Sequence, residues 1–315
     1  LIDDPAYQND AITIGGASKD EVEEEVYTKA VSYAEQGNCN LAVTKLTEYL
    51  NRFQPAYYGI DAHYYLASCY YDQGNMTKAL ESYNFVISKG SSNYLEECLV
   101  VAATICYNNK NYPQALDHYR NLEQVALLKN NVLEAQIGLM RCNYLLSNFS
   151  DAKMYADLVL NNASTPDEIR TTAQLWRGRI LVQNGSYDAA ITDFNQVIKK
   201  GGVMAAESKY NIAYCYYKKG DFKKSETEVF SLIEKYSAFD EWKYKGFLLL
   251  IDAYIGMEDY FQARATIDAI KENVTEQWVL DENTKKEAQL NALENKGGSG
   301  GSSNDIEIDL KPSND

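Results

Sequence analysis

One short phrase recurs seven times along the chain, and its spacing restricts what the chain can fold into. The clearest copy is Gly220-Asp221-Phe222-Lys223-Lys224-Ser225: a turn, an aromatic and, three residues on, a small residue. The other copies run Gly37 to Ala42, Gly74 to Ala79, Lys110 to Ala115, Ser147 to Ala152, Gly185 to Ala190 and Glu258 to Ala263. Their final residues stand 37, 36, 37, 38, 35 and 38 positions apart. A fixed period of about 20–50 residues marks one small unit stacked on copies of itself. Such an array spreads an elongated core along the chain, since each unit buries its apolar face only against its neighbours.

Counting from these anchors, each repeat reads as two antiparallel helices. Twelve before the anchor stand Ala30, Ala67, Ala103, Met140, Gly178, Ala213 and Ile251, five of them small enough for close helix approach. Nine before stand Tyr33, Tyr70, Cys106, Asn143, Leu181, Tyr216 and Tyr254. Three before stand Cys39, Met76, Tyr112, Phe149, Tyr187, Phe222 and Tyr260. Four after stand Leu46, Tyr83, Tyr119, Ala156, Phe194, Val229 and Ile267, and seven after, Tyr49, Val86, Leu122, Val159, Val197, Leu232 and Ile270. Offsets of three, four and seven place these residues on one helical face. Ser18-Lys19-Asp20-Glu21 is a capping box that starts the first helix, and Gly37 ends it.

Small, aromatic, small, aromatic at these offsets resembles a tetratricopeptide repeat (TPR) array over about residues 20–273. The resemblance implies an all-α, right-handed superhelical TPR solenoid of about seven helix pairs with a C-terminal capping helix. The period exceeds the usual repeat of about 34 residues, so extra residues are expected in the second helix or the inter-repeat loop. Met140 and Ile251 replace the small residue, which splays repeats four and seven in this reading. The expected layout is an arm over 1–17, repeats over 18–273, a capping helix over 274–296 and a Gly/Ser linker with an acidic tail over 297–315. The last helical stretch has Trp278 and Leu280 early and Leu290 and Leu293 late, and its many charges suit a helix that covers the open end of the stack. Asp259 to Ile267 and the following helix are similar to the end of long TPR proteins of Gram-negative cell envelopes, the tol-pal type. That likeness implies a periplasmic or outer-membrane-associated location and an upstream region; the first residue, Leu1, is read as the start of a fragment or processed product.

The net charge of −15 disfavours a nucleic-acid or anionic-membrane partner. No apolar run of about 18 residues exists to span a bilayer. No metal or cofactor is expected: His63 and His118, the only histidines, lie in different repeats without ligand spacing. His63 is expected to pack inside and His118 to sit at the surface. Cys69, Cys142 and Cys215 each stand ten before an anchor and Cys106 nine before, so the cysteines read as buried free thiols. No catalytic constellation emerges, and no enzyme is expected.

In the TPR family the first helices line the concave groove. The offsets taken to face inward put Glu24, Glu35, Asp61, Asp72 and Glu97 in the early repeats and Arg141, Arg179, Lys218 and Lys245 later, with Glu134, Glu207 and Asp252 as exceptions. The expected contact residues for a protein or peptide are Tyr71, Tyr107, Arg141, Tyr144, Arg179, Tyr210, Tyr214, Tyr217, Lys218 and Lys245, because Tyr offers area and a polar tip at low entropy cost. Two other classes are weighed. A cytosolic co-chaperone clamps a terminal carboxylate with Lys and Asn, but Tyr27, Val31, Tyr65, Glu97 and Val101 stand at those places here. Asn211 and Lys245 match two late places; Leu175, Arg179 and Leu249 do not. A glycan-binding outer-membrane lipoprotein needs long aromatic insertions, for which steps of 35–38 leave no room. The stretch 305–310 alternates Ile306, Ile308 and Leu310 with acids, and is a candidate contact with a partner sheet edge or with the chain's own groove.

Overall fold

The structure, a computed structural model, describes residues 18–297. The arm over 1–17 and the tail over 305–310 lie outside the described residues. The described residues form α-helices joined by turns, and no strand occurs among them. In order, the helices are α1 (Lys19–Glu35), α2 (Cys39–Arg52), α3 (Gly59–Asp72), α4 (Met76–Ser88), α5 (Leu95–Asn108), α6 (Tyr112–Val125), α7 (Lys129–Leu145) and α8 (Phe149–Asn161). They continue as α9 (Asp167–Gln183), α10 (Tyr187–Ile198), α11 (Gly202–Lys218), α12 (Phe222–Tyr236), α13 (Asp240–Gly256), α14 (Tyr260–Asn273) and α15 (Gln277–Gly297). Two compact units divide within α9, the first ending at Ala173 and the second starting at Gln174.

The recurring phrase is the turn inside each helix pair. After α1, Gly37 adopts φ +74°, its N–H donates to Ala34 O (2.9 Å), and Asn38 N–H donates to Tyr33 O (2.8 Å). These two bonds satisfy carbonyls that the helix end would leave orphaned. Asn38 then caps α2, its side chain accepting from Leu41 N–H. The six-residue bond recurs as Asn75 to Tyr70, Asn111 to Cys106, Asn148 to Asn143, Ser186 to Leu181, Asp221 to Tyr216 and Asp259 to Tyr254. Lys110, Ser147 and Glu258 take the left-handed conformation without being glycine. The capping box at α1 is present in full: Ser18 Oγ accepts from Glu21 N–H (3.2 Å), and Glu21 Oε2 accepts from Ser18 N–H (2.6 Å).

All seven anchors are buried, as are all residues four and seven after them. Each fully buried Leu, Val or Phe among them contributes about 1.5–3 kcal/mol. In the first unit, Ala30, Leu46, Tyr49 and Leu66 share one cluster, Ala67, Tyr83 and Ala102 a second, and Ala103, Tyr119 and Leu139 a third. In the second unit, Leu175, Phe194 and Ile212 form one cluster. The other joins Ala213, Val229, Ile251 and Ile267 to Val279 and Leu290 of α15. Met140 and Ile251, the large residues at the small position, are fully buried.

The second helices have 12 to 15 residues, while the links and first helices vary, and α9 has 17 residues even after the link at 162–166. Where the link between repeats is long, at 53–58 and 89–94, the next first helix has 14 residues. Where the link is short, before α7, α11 and α13, the first helix gains a turn and has 17. In α15, Val279, Asn283, Lys286 and Leu290 carry the contact with α13 and α14. Asn283 Nδ2 donates to Ile267 O (2.9 Å), and Lys286 Nζ lies 2.6 Å from Asp252 Oδ1. Trp278 lies off this stripe and is 42% exposed.

Candidate functional site

Neighbouring first helices touch within each unit: α1 with α3 and α5 with α7 in the first, α11 with α13 in the second. Their outward offsets therefore form a face, described here for each unit separately.

On the first unit this face is built from tyrosine pairs. Tyr27 of α1 stacks on Tyr58 (centroids 4.4 Å, planes 7° apart), and Tyr64 of α3 stacks on Tyr94 (3.9 Å, 12°). Tyr58 and Tyr94 each close an inter-repeat link, 21 residues before the next anchor. Sequence reasoning missed both, although their shared offset was a usable signal. Tyr64 hydroxyl donates to Glu97 Oε1 (2.9 Å), and Asp61 raises the Tyr94 hydroxyl after burial, to about 12. Burial first, then the Glu97 carboxylate, holds the Tyr64 hydroxyl above the ordinary tyrosine range. These phenols stay protonated at neutral pH and serve as donors rather than bases. Tyr71 is exposed at 39%. Tyr107 packs on Tyr112 (5.6 Å) and carries the Arg141 guanidinium 6.0 Å above its ring, while Tyr144 packs on Phe149 (5.9 Å).

On the second unit, Tyr210, Tyr214 and Tyr217 form a row along α11 with 6.3 Å between successive rings. Trp242 extends it, 5.7 Å from Tyr210. Lys218 lies 5.7 Å above Tyr214, and Lys245 lies 4.4 Å above Trp242. Burial raises the Tyr217 hydroxyl to about 12. The late cations are not a free basic surface. Arg179 Nε donates to Glu207 Oε1 (2.5 Å), Lys245 Nζ to Glu241 Oε1 (2.8 Å), and Lys286 occupies Asp252. Arg177 holds the buried Asp193 with two bonds of 2.7 and 2.6 Å. The structure thus unites Tyr107 with Arg141, and Tyr210, Tyr214, Tyr217 and Lys218 with Trp242 and Lys245; Arg179 instead serves Glu207.

His118 corrects one expectation: it is buried, at 8% exposure, in α6 rather than at the surface. His63 stacks on Phe85 (3.8 Å). Five cysteines are buried and Cys39 is half-buried, all of them free. Burial pushes the thiols of Cys69, Cys98, Cys142 and Cys215 up to about 12, so none is a thiolate nucleophile at neutral pH. No group of three His, Cys, Asp or Glu side chains able to hold a metal occurs among the described residues. No helix among them is long and apolar enough to cross a membrane.

Helix pairs repeating at one turn geometry, with aromatic first-helix faces, define the class of helical-repeat interaction scaffolds. Comparison with known proteins agrees. The family profile described as "Tetratricopeptide repeat" matches residues 173–239, and that of "Anaphase-promoting complex, cyclosome, subunit 3" matches residues 54–122. The described residues have the fold of tetratricopeptide repeats, and the match over residues 173–239 is to that family directly. The C-terminal part of a TPR repeat-containing protein from Cytophaga hutchinsonii is 16% identical over 81% of this chain and 98% of that one, with a TM-score of 0.54. The apo form of RapI is 16% identical over 88% of this chain and 82% of that one, with a TM-score of 0.51. A TPR protein from Parabacteroides merdae is 17% identical over 84% and 98%, with a TM-score of 0.43. No curated protein sequence matches the chain.

Proposed function

We propose that the chain is a non-catalytic scaffold that holds a segment of a partner protein on its first-helix faces, within a bacterial cell-envelope assembly. The observation that carries this reading is the row Tyr210, Tyr214 and Tyr217 with Trp242. These rings are anchored from behind by the core yet keep part of their surface open. Rigid aromatic area with a polar edge is what recognition of a chain or helix uses. The protonated thiols and phenols offer no nucleophile or base, which supports a binding role over a catalytic one. The envelope part rests on the likeness of Asp259 to Ile267 to envelope TPR proteins.

The test starts with a partner captured from an envelope fraction and identified by mass spectrometry. Tyr214→Ala with Tyr217→Ala is expected to weaken its binding about tenfold to a hundredfold, the usual range for aromatic anchors. Phe230→Ala, at a 50% exposed position of the second helix α12, is expected to change nothing. Equal affinity for the wild type and the double tyrosine variant, with circular dichroism unchanged, would remove this face from the site. Recovery of the chain only in a cytosolic fraction would remove the envelope assignment.

A further inference from the structure

In the first unit, a cavity of about 310 Å³ lies between α1 and the 53–58 link, lined by Asp20, Glu23, Glu24, Tyr57 and Tyr58. Glu23 is the unusual member. It is 94% buried (6% exposed), yet it stands in an acidic run that otherwise faces water. One of its oxygens, Oε1, takes both structural bonds: it accepts from Tyr49 hydroxyl (2.7 Å) and from Tyr57 N–H (2.7 Å). The second oxygen, Oε2, accepts no hydrogen bond from any described residue, and Glu23 is among the residues that line the cavity. Two donors compensate Oε1, and Oε2 is left open for water, a further donor or a cation to compensate.

No described cation does so. Neither Asp20, Glu23 nor Glu24 pairs with a Lys or Arg among the described residues, and residues 1–17 contain neither residue type. The positive end of α1 offsets part of this charge, but none of its N–H groups donates to Glu23, whose donors are Tyr49 and Tyr57. Three carboxylates therefore converge on one cavity. Their field, led by Glu24 after desolvation, raises the Tyr58 hydroxyl.

The aromatic walls narrow the ligand. Tyr58 is pinned by its stack on Tyr27 (4.4 Å), and its backbone N–H donates to Tyr49 hydroxyl (3.0 Å). Tyr57 meets Tyr58 edge-on (4.8 Å), and its ring is 82% exposed although its backbone is fixed by Glu23. A flat cation can lie on such a ring while donating sideways to carboxylates. A guanidinium does both, whereas an ammonium is a compact, strongly hydrated point charge. Tyr58 and the backbone of Tyr57 are held in place before any ligand arrives, which lowers the cost of binding.

We propose that this cavity binds the guanidinium of an arginine side chain presented by a partner protein segment, with Glu23 as the buried charge partner and Tyr57 as the stacking face. This rests on the reading of the first-helix faces as the partner-binding surface, and gives the first unit a stated chemistry. A fluorescein-labelled octapeptide of Gly and Ser with two Arg tests it against counterparts carrying citrulline or Lys, by fluorescence anisotropy on the full chain at low salt. The Arg peptide is expected to bind about tenfold tighter than the citrulline peptide and severalfold tighter than the Lys peptide. Glu23→Gln is expected to erase the preference. Asp20→Asn with Glu24→Gln, which removes charge without touching the Tyr49 and Tyr57 bonds, is expected to weaken Arg binding severalfold. Equal binding of the Arg and citrulline peptides, equal binding of the Arg and Lys peptides, or wild-type affinity in both charge variants would overturn the proposal. If the envelope partner still binds the Tyr210–Tyr217 face while the peptides show no preference, the cavity assignment alone falls. If the peptides discriminate but no aromatic variant affects the partner, the scaffold reading falls and the cavity stands.

Discussion

Gly138→Ala probes how closely the helices of neighbouring repeats approach. Gly138 lies in α7 and is buried beneath Tyr119 of α6. A methyl carbon built on it falls 2.4 Å from Cε2 and Cζ of that ring and 2.5 Å from Cδ1. Carbon atoms make optimal contact at about 3.5–4.0 Å, so three ring atoms would overlap by more than about 1 Å. The ring has nowhere to go: Tyr119 is 4% exposed and shares its cluster with Ala103, Ala135 and Leu139, all at most 1% exposed. Overpacking typically costs about 1–3 kcal/mol, and three simultaneous overlaps place this site in the upper half. Against that, Ala gains about 0.8–1 kcal/mol over Gly in a helix interior. The net expectation is a loss of about 1–2 kcal/mol. Gly59→Ala is the matched control, since its nearest neighbour would be Ala56 Cβ at 3.6 Å, an ordinary contact; its change should stay within about 0.5 kcal/mol. Urea unfolding followed by circular dichroism reads both, with hydrogen exchange locating the loss in α6 and α7. A midpoint for Gly138→Ala equal to or above that of Gly59→Ala would refute the close approach.

Gly220→Ala is expected to cost about 1 kcal/mol, although nothing lies within 4 Å of the added methyl, because φ is +77° there. Lys110→Gly, at φ +59°, should go the other way by about 0.5 kcal/mol, the relief of left-handed strain less the entropy a new glycine adds to the unfolded chain. Burial holds the imidazoles of His63 and His118 below the usual histidine value. The unfolded chain then takes up protons first, so their contribution is complete above about pH 6.5 and declines as pH falls through that value. The urea midpoint should drop between about pH 7.5 and 5.5, and His63→Gln with His118→Gln should flatten that drop; an unchanged slope in the double variant would contradict it.

Periodicity made the helix pairs legible because the residues that define them are buried in every copy. The anchor, the small position and the two following apolar positions each answer to one neighbour at a fixed offset. What an offset does not show is which side chain on another helix waits opposite. Arg179 lies on the expected face, but its partner Glu207 stands 28 residues on, so the charge is spent inside the protein. In the sequence Glu23 is one acid among Asp20, Glu21, Glu24 and Glu25; only Tyr49, 26 residues away, reveals it as buried. Lys245 was readable, since Glu241 stands four residues before it on the same helix. His118 was not readable: three after their anchors the other repeats carry Lys45, Ser82, Tyr155, Asp193, Glu228 and Thr266, mostly polar, and only the structure shows that this position is partly or wholly covered.

Site-specific photo-crosslinking tests the central claim most directly. A crosslinking amino acid is placed singly at Tyr71, Tyr107, Tyr214 and Lys218 on first helices, and at Glu81, Met154 and Phe230 on second helices. The account predicts adducts with one and the same partner protein from first-helix positions and none from the second helices. Adducts confined to the second helices, or equal yields from both sets, would contradict it.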